Sequence, residues 1–131
     1  MKKTILVVDS QPNTRRFLRN VLQREGYDVI EAENEQTVWR AVRSHHSPVS
    51  LALIDVELPG LSGRFVADSL QTRAPLPVVF MSDTDREELV ANGRIDEAAT
   101  LLHKPFTIDN VLKDVVAVLG KLEPIGIHVA A

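Results

Sequence analysis

The stretch Leu51-Ala52-Leu53-Ile54-Asp55-Val56-Glu57-Leu58-Pro59-Gly60 decides the fold. Its first four residues are apolar without alternation, the pattern of a strand buried on both faces, and such burial belongs to parallel sheets covered by helices. Asp55 closes the run, and Pro59-Gly60 suits a turn. Ile5-Leu6-Val7-Val8, Val78-Val79-Phe80-Met81 and Thr100-Leu101-Leu102 read the same way. Tyr27-Asp28-Val29-Ile30 is apolar at alternate places, as an exposed edge strand would be.

Helical spacing fills the intervals. Pro12 to Arg24 carries Phe17, Leu18, Val21 and Leu22 on one stripe, with Pro12 suited to a first turn and Gly26 to the end. Asn34 to Ser44 has Asn34 as N-cap and Val38, Trp39 and Val42 as its apolar stripe. Ser62 to Thr72 carries Phe65, Val66 and Leu70, and a short helix is expected from Asp85 to Asn92. Thr107 to Leu119 places Ile108, Val111, Leu112, Val115, Val116 and Leu119 at core spacing behind a Thr107 cap. Five strands alternating with five helices predict an α/β doubly wound, five-stranded parallel sheet with helices on both sides.

Composition bounds the function. A chain of 131 residues has room for one domain, and 44% hydrophobic with 25% charged residues is globular. Fifteen basic against 18 acidic residues give a net charge of −3, without the basic excess that nucleic-acid binding requires. Zero cysteines exclude disulfides and thiolate metal sites. The apolar run after Met1-Lys2-Lys3 is interrupted by Asp9 and is too short for a signal peptide, and no run approaches the ~18 apolar residues of a membrane span. A cytoplasmic protein that binds neither membrane nor nucleic acid directly is expected.

In doubly wound sheets the ligand site lies beyond the carboxyl ends of the strands. Asp9, Asp55, Ser82 and Lys104 stand there in this sequence. A nucleophilic carboxylate, a second carboxylate for a hard cation, a hydroxyl donor and an ammonium make a phosphoryl site.

With these residues in order, the sequence resembles the receiver domain of bacterial two-component response regulators from residue 3 to about 120. The motifs are Ile5-Leu6-Val7-Val8-Asp9, then Leu53-Ile54-Asp55-Val56-Glu57-Leu58-Pro59-Gly60 with Gly63 following, then Val78-Val79-Phe80-Met81-Ser82, then Lys104-Pro105-Phe106. The resemblance implies a flavodoxin-like three-layer sandwich and a signalling protein rather than a turnover enzyme. It implies that Asp55 accepts a phosphoryl group from a sensor histidine kinase or a histidine phosphotransfer protein. Mg2+ would be held by Asp9, Asp55 and the backbone carbonyl of Glu57, with Ser82 the switch hydroxyl and Lys104 the charge partner. It also implies a cis Lys104-Pro105 bond, and an effector-binding face on the fourth helix, fifth strand and fifth helix that serves some members as a homodimer contact. Residues 1-120 would be the receiver domain and 121-131 a tail or the start of a linker to an output domain.

Three departures bear on function. Family members carry two adjacent acids after the first strand; here the second is Ser10, so Mg2+ affinity should fall unless the Glu57 side chain compensates. Asp83 follows Ser82 where a small residue is usual, and Leu101 stands where an aromatic often follows the hydroxyl's movement. These motivate an alternative reading, a phosphorylation-impaired pseudo-receiver acting as a constitutive protein-interaction module. A flavin- or nucleotide-binding reading lacks a suitable phosphate loop after the first strand.

Blander roles are weighed as well. Ser82 could simply cap the following helix. Arg15, Arg16, Arg19 and Arg24 read first as a solvated face and second as a dock for an acidic partner. Trp39 reads as core, His45-His46 as the end of a helix, and Gly60 and Gly63 as turn glycines.

Overall fold

The computed structural model describes residues 2–122. In chain order the elements are β1 (Thr4–Val8), α1 (Pro12–Arg24), β2 (Asp28–Ala32), α2 (Glu35–Ser44), β3 (Val49–Asp55), α3 (Gly63–Arg73), β4 (Val78–Ser82), α4 (Arg86–Ala91), β5 (Thr100–His103) and α5 (Ile108–Leu122). The strands form one sheet in the order β2-β1-β3-β4-β5, parallel at every pairing. The alternating Tyr27–Ile30 segment lies at an edge, as its pattern predicts. The segment 121–131 read as a tail falls, beyond residue 122, outside the described residues.

Alternate residues of each central strand feed two separate cores. Ile5, Val7, Leu51, Leu53, Val79 and Met81 pack with Leu18 and Leu22 of α1 and Val111 and Val115 of α5. Leu6, Val8, Ala52, Ile54 and Phe80 pack on the other face with Val38 of α2, Val66 and Leu70 of α3, and Leu89 of α4. A strand that must serve both cores has no position for a polar side chain until it ends. This is why the first polar residue after each run stands at the carboxyl edge.

Capping fixes where the helices begin. Pro12 opens α1, and Gly26, at φ +94°, follows its C-cap. The Asn34 side chain accepts from the Thr37 amide at 3.0 Å, and Thr107 Oγ1 accepts from the Asn110 amide at 3.1 Å. Ser62 caps α3 from outside, its Oγ accepting from the Phe65 amide at 3.2 Å.

The stripes are narrower than the sequence spacing suggests. Phe65 is 47%, Ile108 48% and Val116 53% exposed, because Val66 and Leu70 on α3 and Val111, Val115 and Leu119 on α5 already fill the space over the sheet. Trp39 is half-buried, with the Arg73 guanidinium 4.4 Å from its ring centre. His45 Nε2 lies 3.1 Å from the buried Thr4 hydroxyl. The basic face of α1 is only partly free: Arg15 Nε and Arg19 Nη1 both pair with Glu31 of β2, at 3.3 and 2.8 Å.

Candidate functional site

The carboxyl ends of β1, β3, β4 and β5 bring all four predicted residues to one edge. Asp9 follows β1, Asp55 and Ser82 close β3 and β4, and Lys104 follows β5. Their main chains are pinned first: the Val56 amide donates to the Met81 carbonyl at 2.9 Å and the Lys104 amide to the Ser82 carbonyl at 2.7 Å. The Lys104-Pro105 bond is cis, as expected. Lys104 Nζ then lies 2.8 Å from Asp9 Oδ2 and 3.1 Å from Asp55 Oδ2. The second oxygens are also held, Asp9 Oδ1 by the Gln11 amide at 2.8 Å and Asp55 Oδ1 by the Glu57 amide at 3.0 Å.

Asp9 and Asp55 are both buried, at 0% and 5% exposure. Burial and then the neighbouring Asp9 charge push the Asp55 carboxyl up from 3.8 to about 6, against the opposing pull of Lys104 and the Glu57 amide. Burial works against the charge on Lys104. Its hydrogen bond to Asp9 and the charges of both carboxylates outweigh that cost and raise its pKa. Two carboxylates therefore share one ammonium, with surplus negative charge in a shielded place.

Ser82 is buried and does not cap α4, whose N-cap is Asp85. Its Oγ accepts from the Thr84 amide at 2.9 Å and donates toward the Glu57 carboxylate, 3.0 Å from Oε1 and 3.2 Å from Oε2. The Glu57 side chain is thus engaged with the hydroxyl rather than gathered with Asp9 and Asp55. Among the described residues no group of three or more acidic or histidine side chains is arranged to hold a metal ion.

Gly63 is not a turn glycine. It is the first residue of α3, and its amide donates to the Val56 carbonyl at 2.8 Å. A Cβ there would collide with the Asp55 carbonyl oxygen and come within 2.9 Å of that carbonyl carbon. The helix therefore abuts the backbone that carries Asp55.

The profile of the response regulator receiver domain matches residues 5–116. The chain belongs to this family. Among curated relatives the receiver is 36% identical over 106 residues to the response regulator GtcR of Aneurinibacillus migulanus, covering 81% of this chain and 43% of that protein. It is 28% identical to the transcriptional regulatory protein SrrA of Staphylococcus aureus, covering 94% of this chain and 50% of that one. The receiver thus spans about half the length of the curated relatives it matches. A two-component response regulator from Clostridium difficile superposes with a TM-score of 0.81 at 18% identity, covering 94% of this chain and all of that one. The response regulator TrrA of Thermotoga maritima, solved with Mg2+ and BeF, gives 0.69 at 30% identity, covering 86% and 96%.

In this receiver the three departures have definite surroundings. Ser10 is half-buried beside Asp9. Asp83 is exposed and shares with Lys104, Asn13, Phe17 and Phe106 the wall of an open cleft of about 450 Å³. Leu101 packs, half-buried, on the core that holds Phe80 and Leu89. Sequence reading missed Arg15, whose Nη1 donates to the Asp9 carbonyl at 2.8 Å, and the Thr84 amide. An arginine six residues past Asp9 is a weak signal, and a main-chain donor gives none. No helix among the described residues is long and apolar enough to cross a membrane.

Proposed function

We propose that this chain is a phosphoacceptor: Asp55 takes a phosphoryl group from a histidine kinase or phosphotransfer protein, and the modification switches a protein-interaction face. The observation that carries the reading is the buried Asp9–Lys104–Asp55 group at the carboxyl edge of the sheet. An Asp55 oxygen attacks phosphorus, the new O–P bond forms as the donor's N–P bond breaks, and the imidazole leaves with the electron pair. Lys104, already between the carboxylates, neutralises a phosphoryl oxygen, and Ser82 is the switch hydroxyl.

The surplus negative charge between two buried carboxylates suits a hard cation with oxygen ligands. Asp9, Asp55 and the main-chain carbonyl of Glu57 would hold Mg2+, which supplies positive charge against the phosphoryl oxygens. Ser10 leaves that set one carboxylate short. Ser10→Asp is expected to tighten Mg2+ binding about tenfold by calorimetry, a gain of about 1.4 kcal/mol. Unchanged affinity would mean that the missing acid costs nothing here.

The kinase or phosphotransfer protein is the donor partner, and an effector or output domain reads the face formed by α4, β5 and α5, which would also serve a homodimer. The receiver unit runs to about residue 120, its last helix reaching Leu122. The test is incubation with radiolabelled acetyl phosphate and Mg2+. Label that is released by hydroxylamine and lost in Asp55→Ala supports the reading. No label at high Mg2+ would overturn it in favour of the constitutive interaction module that Ser10, Asp83 and Leu101 suggest.

A further inference from the structure

We infer that Glu57 is a positioning residue that latches Ser82 in the unmodified protein, so that a phosphoryl group on Asp55 must win the hydroxyl from a carboxylate. The inference rests on the phosphoacceptor reading for its consequence, though not for the latch itself. Ser82 Oγ has one proton to donate. Its acceptor role is taken by the Thr84 amide at 2.9 Å, and its proton faces both oxygens of Glu57 at 3.0 and 3.2 Å. The pairing spans 25 residues of sequence and ties the loop after β3 to the end of β4.

Geometry makes the competition direct. The Glu57 amide donates to Asp55 Oδ1 at 3.0 Å while its carboxylate accepts from Ser82, so one residue bridges nucleophile and hydroxyl. Ser82 is wholly buried, and a hydroxyl in that position does not exchange one partner for water at no cost. Charge-assisted hydrogen bonds such as O–H to carboxylate are the stronger class. Two anions, the carboxylate and the phosphoryl group, thus compete for one O–H. The latch holds the resting state and lowers affinity for any phosphoryl-like ligand by the free energy of the Ser82–Glu57 bond.

The test is a double-mutant cycle of Glu57→Ala, Ser82→Ala and the double variant, read in two ways on the full chain. Thermal unfolding without metal reads the latch alone: a smaller combined loss than the sum of the single losses is expected. Strictly additive losses would overturn it, whatever Asp55 does. Beryllofluoride binding at saturating Mg2+ reads the consequence. Glu57→Ala is expected to bind about three- to tenfold tighter than the parent when Ser82 is present, and no tighter than Ser82→Ala when it is absent, the range of one released hydrogen bond. An equal gain in both backgrounds would reduce Glu57 to bulk charge, and weaker binding would make it a metal support; either contradicts the inference. If no variant binds beryllofluoride, the phosphoacceptor reading fails and the competition with it, while the unfolding cycle still decides the latch.

Discussion

Gly63→Ala is expected to lower the unfolding temperature by about 10 °C and to cost about 3 kcal/mol of stability, the upper part of the range for overpacking against a rigid neighbour. The added Cβ would meet backbone rather than a flexible side chain: the Asp55 carbonyl oxygen and carbon, and Val56 Cα at 3.0 Å. Relief requires α3 to move away from the end of β3. That motion would also disturb the Asp55 carboxylate, so capture of a phosphoryl group should fall with stability. Gly120→Ala is the control. Gly120 lies within α5 with open space where its Cβ would go, and alanine there should be neutral or stabilising by up to about 1 kcal/mol. Equal melting of Gly63→Ala and the parent would mean that α3 does not abut Asp55 as described.

Asp55→Asn is expected to stabilise the protein, and by an amount that depends on pH. In the folded state the Asp55 carboxyl titrates at about 6 instead of 3.8 because of burial first and the Asp9 charge second. Below about pH 3 the group is protonated in folded and unfolded chains alike and contributes no difference. As pH rises from there to about 6, the unfolded chain releases the proton while the folded chain keeps it, so folding is progressively disfavoured. Above that window the full cost is present, about 3 kcal/mol as an upper bound for a shift of this size. Asparagine keeps the shape without the charge, and Lys104 keeps Asp9 as partner. The difference in unfolding temperature between variant and parent should be near zero at pH 3 and reach several degrees by pH 7. A constant difference across that range would mean that neither burial nor the Asp9 charge raises the Asp55 carboxyl.

These two residues mark what was legible in the sequence. Asp55 announced itself because a strand serving both cores tolerates no charge until it ends, and parallel strands all end at the same edge. The same logic points to Asp9, Ser82 and Lys104. Gly63 stands in the same motif, but its close approach to the Asp55 carbonyl depends on the angle at which α3 leaves the loop, which no local pattern encodes. The Glu57 carboxylate, weighed in the sequence as a compensation for Ser10, meets Ser82, because β4 delivers a hydroxyl within its reach. Arg15 and Arg19 of α1 read as solvated for a comparable reason: Glu31, their partner, sits on β2. Helical spacing locates the apolar stripes of α3 and α5 without giving their width, so Phe65, Ile108 and Val116 fit the core pattern and yet lie largely exposed.

The phosphorylation-impaired alternative turns on whether the site works with Ser10 in place of an acid. An ammonium between two buried carboxylates, with both outer oxygens bound by main-chain amides, is preorganised for charge and not for a neutral ligand. The central claim is that Asp55 is the residue modified. The most direct measurement is treatment with acetyl phosphate and Mg2+, trapping with borohydride, which reduces an aspartyl phosphate to homoserine, and tandem mass spectrometry of the digest. The account predicts the reduced residue at position 55 alone. Reduction at Asp9, Glu57 or Asp83 instead, or at no position, would contradict it.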